Sequence, residues 1–294
     1  MDLQNLVERL RKGEPRAIAR ALTLIENAEN DSSEARELLS LVFADERSAK
    51  IVGLTGPPGV GKSTLVDVLA KLAREQGRDV AVLAVDPTSP FTGGALLGDR
   101  ARMDSGTADP KVFIRSMATR GHVGGLSAAV FEALVLLEAA GKDFILVETV
   151  GAGQDEVEVA AAVDVTVVVL APGFGDQIQA SKAGLIEIAD ILVVNKADRD
   201  GADLVAEETQ AHTDGKPVFK TVARDGTGVD ALFAEIERTR GERRLMEAWL
   251  ANCLQRVVRE RIPADAWTNA VERLKARQVT PYDAAAALLE SLRS

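Results

Sequence analysis

Apolar residues follow two rhythms along this chain, and the changes between them divide it into three regions. Over residues 1 to 48 they recur at helical spacing. Leu3, Leu6, Val7 and Leu10 share one face, Gly13-Glu14-Pro15 interrupts it, and Ile18, Leu22 and Ile25 resume it. Asp31-Ser32-Ser33 then offers a side-chain cap to a third helix. From 49 to 239, short and nearly continuous apolar runs alternate with helical patterns. The runs at 50–54, 80–85, 111–115, 143–148, 164–170, 190–194 and 217–220 predict strands. Such alternation predicts an α/β domain, a mostly parallel sheet with helices on both faces. From 240 to 294 the pattern is helical again, with Trp249, Leu250, Leu254, Val257 and Val258 in period and with Pro263 and Pro281 opening further helices. No repeat or Gly/Ser linker separates the regions, so the helical extensions are expected to pack on the central domain.

The ends of two predicted strands carry chemistry. After the run containing Ile51, Val52 and Leu54 comes Gly56-Pro57-Pro58-Gly59-Val60-Gly61-Lys62-Ser63-Thr64, which fits the phosphate-loop pattern G-x-x-x-x-G-K-[ST]. Its glycines allow backbone turns that aim successive N–H groups at phosphate oxygens. Leu65, Val68, Leu69 and Leu72 then begin a helix, whose unpaired N-terminal donors face the same phosphates. Lys62 is expected to reach the β- and γ-phosphates, and Ser63 to place its hydroxyl on Mg²⁺. The second signal, Asn195-Lys196-Ala197-Asp198, follows the run Ile191–Val194. The Asp198 carboxylate can accept from guanine N1–H and its 2-amino group. Adenine offers neither donor, so the wrong base would leave the charge unpaired. Asn195 and the Lys196 stem would buttress the loop and cover the base, and Thr221-Val222-Ala223 would supply a backbone contact to guanine O6. Each motif alone has a bland reading, a glycine-rich turn or a polar helix cap. In one chain, each after a strand, they point to GTP and GDP.

Composition narrows the class. The 294 residues, 46% of them hydrophobic, suffice for one large α/β domain with smaller helical additions. A net charge of −10 argues against nucleic acid as the main partner, because a phosphate backbone requires a basic footprint. The single cysteine, Cys253, excludes a disulfide framework and suits a reducing cytoplasm. The amphipathic, charged N-terminus does not read as a signal peptide. The longest apolar stretch, 157–172, is interrupted by Glu158 and Asp164, so no membrane span is expected.

Further polar residues sit where strands end. Asp86 closes the second run and is followed by Pro87-Thr88-Ser89-Pro90-Phe91-Thr92-Gly93-Gly94, with Asp99 beyond it in Leu96-Leu97-Gly98-Asp99-Arg100. One carboxylate near Mg²⁺ and another near the attacking water are what phosphoryl hydrolysis needs, although either aspartate could equally cap a helix or turn. Glu148 ends the run 144–147 at the usual place of a metal-side acid. Thr149-Val150-Gly151-Ala152-Gly153-Gln154 behind it is small enough to move with the γ-phosphate, or to serve as a plain strand-to-helix turn.

The run from Asp86 to Gly94, with Leu97-Gly98-Asp99-Arg100, resembles the GTPases associated with methylmalonyl-CoA mutase, the MeaB/ArgK type. So do the segments 113–125 (FIRSMATRGHVGG), 148–154 (ETVGAGQ) and 172–179 (PGFGDQIQ) with Lys182-Ala183-Gly184. The similarity reaches Gly13-Glu14-Pro15-Arg16-Ala17 near one end and Pro281-Tyr282-Asp283-Ala284-Ala285 near the other, and so covers nearly the whole chain. It implies a phosphate-loop GTPase domain at 49–239, an N-terminal helical extension at 1–48 and a C-terminal arm at 240–294 that supports a homodimer. It also implies a chaperone that uses GTP to gate adenosylcobalamin loading into a mutase and to protect or reactivate that enzyme. The partner would be an adenosylcobalamin-dependent acyl-CoA mutase, with a cobalamin adenosyltransferase as a second candidate. By the same resemblance Asp86 orients the hydrolytic water, Asp99 and Glu148 hold Mg²⁺ directly or through water, and Gly151, Gly153 and Gln154 move with the nucleotide. Asp176, Gln177 and Lys182 fall in a third switch segment. From the residues alone, Lys182 also reads as a solvated helix position.

Two other classes are weighed against this. A nickel-insertion GTPase needs clustered ligands, and His122, His212 and Cys253 are scattered. A phosphate-loop kinase of amino-acid transport would use ATP, against which Asp198 argues. No arginine finger is assigned, although Arg100, Arg115 and Arg120 are read as lying in loops that could carry one.

Overall fold

All seven predicted strands form, and they join one sheet: β1 (Lys50–Thr55), β2 (Val80–Pro87), β3 (Val112–Thr119), β4 (Phe144–Thr149), β5 (Val165–Leu170), β6 (Ile191–Asn195) and β7 (Val218–Thr221). The computed structural model describes residues 2–26, 33–45, 49–87, 109, 111–119, 128–149, 160, 162–173, 186–240 and 245–292. The strand order is β3-β2-β4-β1-β5-β6-β7, and every neighbouring pair is parallel. β3 runs four residues past its expected end at 115 because it pairs with β2 along its whole length, from Val80 opposite Val112 to Pro87 opposite Thr119. Ladder pairing there overrides the weak apolar signal of Ser116 and Thr119.

The helices follow from the handedness of parallel crossovers. α4 (Lys62–Glu75) connects β1 leftward to β2 and covers one face. Together with α7 (Val229–Arg238) it buries Leu65, Leu69, Leu232 and Phe233 against Val52, Leu54, Phe144 and Val167. α5 (Ala128–Ala139) and α6 (Ala202–Ala211) connect strands in the opposite direction and therefore lie on the other face. α5 is mostly apolar, with Glu132 and Glu138 as its buried exceptions, because it is covered twice. Its outer side packs on α1 (Leu3–Arg11), α2 (Pro15–Glu26) and α3 (Ser33–Val42), which bury Leu6, Leu10, Ile18, Leu22 and Leu38. A fork joins this helical layer to the edge strand: Arg115 on β3 donates to Glu26 Oε2 at 2.6 Å and to Thr23 Oγ1 at 3.2 Å. Arg115 thus sits on a strand and faces α2 instead of standing in a loop.

The N-terminal edge of the sheet is closed by a device that repeats three times. Asp143, Asp164 and Asp190 each stand immediately before a strand. Each accepts with its carboxylate from one backbone N–H and returns its own N–H to the carbonyl of that same residue. The Asp164 carboxylate takes Ile51 N–H at 2.9 Å while Asp164 N–H reaches Ile51 O at 2.9 Å. Asp190 does the same with Thr166, and Asp143 with Asp79. These clasps satisfy N–H groups that would lack ladder partners where neighbouring strands begin. Nearby, Lys142 donates to Lys111 O at 3.0 Å, and burial holds its ammonium below the ordinary lysine range.

The contacts divide the chain into two units, Met1–Leu245 and Met246–Ser294. The second contains most of α8 (Leu245–Arg261), with α9 (Ala264–Lys275) and α10 (Pro281–Glu290). In it the Arg259 guanidinium lies 4.0 Å over the Trp267 ring. Among the described residues no helix is long and apolar enough to cross a membrane.

Replacing Asp164 by alanine strands the Ile51 N–H and is expected to cost about 1–3 kcal/mol of stability. Asp164→Asn keeps an acceptor and should lose less; urea unfolding of both variants measures the difference, and equal stability to the parent in both would refute the clasp's role.

Candidate functional site

The phosphate loop leaves β1 at Thr55 and enters α4 at Lys62. Gly56, Gly59 and Gly61 all take positive φ, at 136°, 79° and 99°. Two of these have a steric reason beyond the dihedral. A Cβ on Gly56 would lie 2.2 Å from Val169 O on β5, and one on Gly61 would lie 2.4 Å from Asn195 Nδ2. The loop is therefore pressed against the sheet at one end and against the base-reading loop at the other. α4 has neither a side-chain cap nor an acidic residue in its first turn, so its N-terminal donors and positive dipole end stay available for an anion. Lys62 is buried, with Nζ donating to Gly56 O at 2.6 Å and Pro57 O at 3.0 Å. That places the ammonium inside the hollow the loop encloses.

β4 lies next to β1, with Glu148 opposite Leu54. Glu148 is 9% exposed, and its Oε1 accepts from Ser63 Oγ at 2.6 Å. The next residue, Thr149, donates to Thr55 Oγ1 at 3.2 Å and so ties the two strand ends together. A serine hydroxyl and a carboxylate, both hard oxygen donors, thus converge beside the loop, a donor set that fits magnesium. The backbone of Asp86 occupies the same edge at the end of β2, opposite Ala118 of β3. The Asp86 side chain lies outside the described residues. So do Asp99, Gly151, Gly153, Gln154, Asp176, Gln177 and Lys182, together with Arg100, Arg120 and His122. Among the described residues no three His, Cys, Asp or Glu gather into a metal cluster.

The two motifs meet directly. Asn195, at the end of β6, is 2% exposed; its Nδ2 donates to Val60 O at 2.9 Å, and its Oδ1 accepts from Ala223 N at 3.0 Å and Thr221 Oγ1 at 3.2 Å. One amide thereby holds three segments. Lys196 turns the chain with φ at 58°, uncommon for a residue with a side chain, and its Nζ donates to Gly59 O at 2.5 Å. Ala197 N–H donates to Thr221 O at 3.0 Å. The Asp198 carboxylate is 46% exposed at the rim, with Arg224 Nη2 3.9 Å away.

Sequence reasoning expected Ala223 among the groups touching the base; in the structure its N–H bonds Asn195. Val222 N–H is likewise engaged, by Thr227 O at 2.9 Å. What the sequence left unnoticed is Arg224 and the turn that carries it, for which Asp225-Gly226-Thr227-Gly228 was the available signal. Asp225 Oδ1 accepts from Thr227 N at 3.0 Å, and this bond, with lesser help from Arg224, holds its carboxyl below the usual range.

Comparison with known proteins agrees with this geometry. The sequence model of the family described as methylmalonyl-CoA mutase-associated GTPase MeaB matches residues 18–282. A protein of Pyrococcus horikoshii named as a GTPase is 43% identical over 314 residues, covering 99% of this chain and 98% of its own. The methylmalonic aciduria type A homolog of Mus musculus, a mitochondrial protein, is 43% identical over 67% of this chain and 51% of its own. Among solved structures, a LAO/AO transport system kinase superposes with a TM-score of 0.67 at 27% identity, over 99% of this chain and 98% of that one. A match running from residue 18 to 282, on a sheet whose loops after β1 and β6 are locked together by Asn195, makes this chain a member of the MeaB family of GTPases.

Proposed function

We propose that this GTPase is a chaperone for an adenosylcobalamin-dependent acyl-CoA mutase of the methylmalonyl-CoA mutase type, gating cofactor loading and protecting or reactivating the enzyme. The observation that carries this reading is the extent of the family match. It takes in most of the N-terminal helical layer and reaches α10, where a match to the phosphate loop alone would stop within the sheet domain. The name of the mouse relative points the same way. The setting is the cytoplasm, and a cobalamin adenosyltransferase is a second candidate partner.

The residues divide the work by position. Phosphate oxygens replace the Gly56 and Pro57 carbonyls as partners of Lys62 Nζ, and the α4 N-terminus receives their charge. Ser63 and Glu148, with Asp86 and Asp99, hold Mg²⁺, which when bound neutralises charge on the β- and γ-phosphates. Asp86 orients the water that attacks the γ-phosphorus. Gly151, Gly153 and Gln154 follow the γ-phosphate, while Asp176, Gln177 and Lys182 carry the response to the partner.

The C-terminal unit supports a second copy as partner. Leu250, Leu254 and Val257 form an i, i+4, i+7 stripe on α8, with the two leucines 70% and 61% exposed. Among its described residues only Ile262 and Ala284 are buried hydrophobics. So small a core falls short of what a helical unit of this size needs to hold itself together.

GTP hydrolysis measured with and without a cobalamin-dependent mutase from the same source, with ATP as control, tests the central reading. Stimulation confined to GTP is expected; GTP turnover indifferent to every such mutase would sink the chaperone role. Glu148→Ala should lower turnover at limiting Mg²⁺ by about ten- to a hundredfold, with partial recovery at high Mg²⁺; an unchanged Mg²⁺ titration would remove Glu148 from the metal site. The double variant Leu250→Asp, Leu254→Asp should sediment as a monomer where the parent is a dimer, and an unaltered mass would acquit the α8 stripe.

A further inference from the structure

We infer that Arg224 is a positioning residue for the carboxylate that reads guanine, acting as the outer counterion of Asp198 and so setting how strictly the site demands the 2-amino group. The inference rests on the assignment of Asp198 to the base. Its starting point is the placement of the two side chains across the gap between two loops. Asp198 lies in the loop after β6 and Arg224 in the turn after β7, with Nη2 3.9 Å from Oδ2.

The backbones beneath both residues are held by hydrogen bonds. Ala197 N–H donates to Thr221 O at 3.0 Å and Arg199 N–H to Lys196 O at 3.0 Å, which fixes the Asp198 loop to the end of β7. The Arg224 turn is cross-tied by Val222 N–H to Thr227 O at 2.9 Å, Asp225 N–H to Val222 O at 3.1 Å and Gly226 N–H to Val222 O at 3.0 Å. Both backbones are thus tied to the end of β7.

Two of the neighbouring cations are committed elsewhere. Lys196 Nζ is bonded to Gly59 O at 2.5 Å, and Lys220 Nζ to Asp203 Oδ1 at 2.7 Å. Arg224 also lies near Asp225, whose carboxylate is already held by Thr227.

The chemistry explains why a loose ion pair belongs here. A carboxylate has about four acceptor directions, and guanine N1–H and N2–H use two of them. When the base covers Asp198 the anion loses water on that side, which raises the value of a cation on the other. An arginine at 3.9 Å with an 83% exposed side chain can tighten onto the outer lone pairs without competing for the inner ones. It would also hold the carboxylate plane in the orientation where both oxygens meet the base edge, a demand that inosine, lacking the 2-amino group, does not make.

The test is equilibrium binding of GDP, IDP and ADP to the full chain and to Arg224→Ala, Arg224→Lys, Asp198→Asn and the Arg224→Ala, Asp198→Asn double variant, with XDP added for the last two. Arg224→Ala should weaken GDP about two- to fivefold and IDP less, so that the GDP-over-IDP preference falls; Arg224→Lys should recover part of it. In the Asp198→Asn background, where no carboxylate remains to hold, removing Arg224 should leave XDP affinity unchanged within about twofold. Equal loss for GDP and IDP, tighter GDP binding, or an undiminished effect in the Asp198→Asn background would each overturn the role of Arg224. Failure of the base assignment itself reads differently: Asp198→Asn would then keep its preference for GDP over XDP, whatever Arg224 does.

Discussion

Both nucleotide-binding loops depend on the buried amide of Asn195. Its two ends differ chemically, and each end is used. The NH₂ group donates to Val60 O in the phosphate loop, and the carbonyl accepts from Ala223 N–H and the Thr221 hydroxyl. An aspartate in this place would set a carboxylate against the Val60 carbonyl, and an aliphatic residue would leave a buried carbonyl and N–H unpaired. Gly61 is the counterpart of this contact, since any Cβ there would strike the amide. The loop after β1 and the loop after β6 are therefore held against each other.

The parallel sheet makes this economy available. Because every strand runs the same way, all the strand ends that bear chemistry emerge on one edge. β1 delivers the phosphate loop, β4 delivers Glu148, β2 ends at Asp86 and Pro87, and β6 and β7 deliver Asn195 and Thr221. The opposite edge is stitched by Asp143, Asp164 and Asp190, each clasping a neighbouring strand in both directions. Stability and chemistry thus occupy opposite ends of the same strands, and loops at the reactive edge can change without disturbing the registers that hold the sheet.

The helical additions follow a separate logic. The N-terminal layer completes the burial of α5, whose mostly apolar outer surface would otherwise meet water. The Arg115 fork to Glu26 and Thr23 anchors that layer to the edge strand, and a charged pair on an edge also discourages pairing with a stranger. The C-terminal helices are the reverse case, with apolar side chains outward and little buried within. The first addition is a cover the fold supplies for itself, and the second carries the exposed side chains of Leu250, Leu254 and Tyr282.

Much of this was legible in the residues. Continuous apolar runs marked β5 and the core of β4 and β6, because strands buried on both faces need no polar alternation, while the edge strands β3 and β7 gave shorter signals. The phosphate loop and Asn195-Lys196-Ala197-Asp198 pointed to a guanine nucleotide only in combination, each after a strand of one chain. The sequence could also place Glu148 at a strand end, but only the tertiary structure brought its carboxylate to the Ser63 hydroxyl, 85 residues away in the chain. The same holds for Asn195 and Val60, for the aspartate clasps and for Arg224 beside Asp198. Periodicity reports which face of an element is buried, and a motif reports what a short backbone segment can bind. Neither carries strand order, and it is the order β4-β1-β5-β6-β7 that decides which loop ends come within hydrogen-bonding reach.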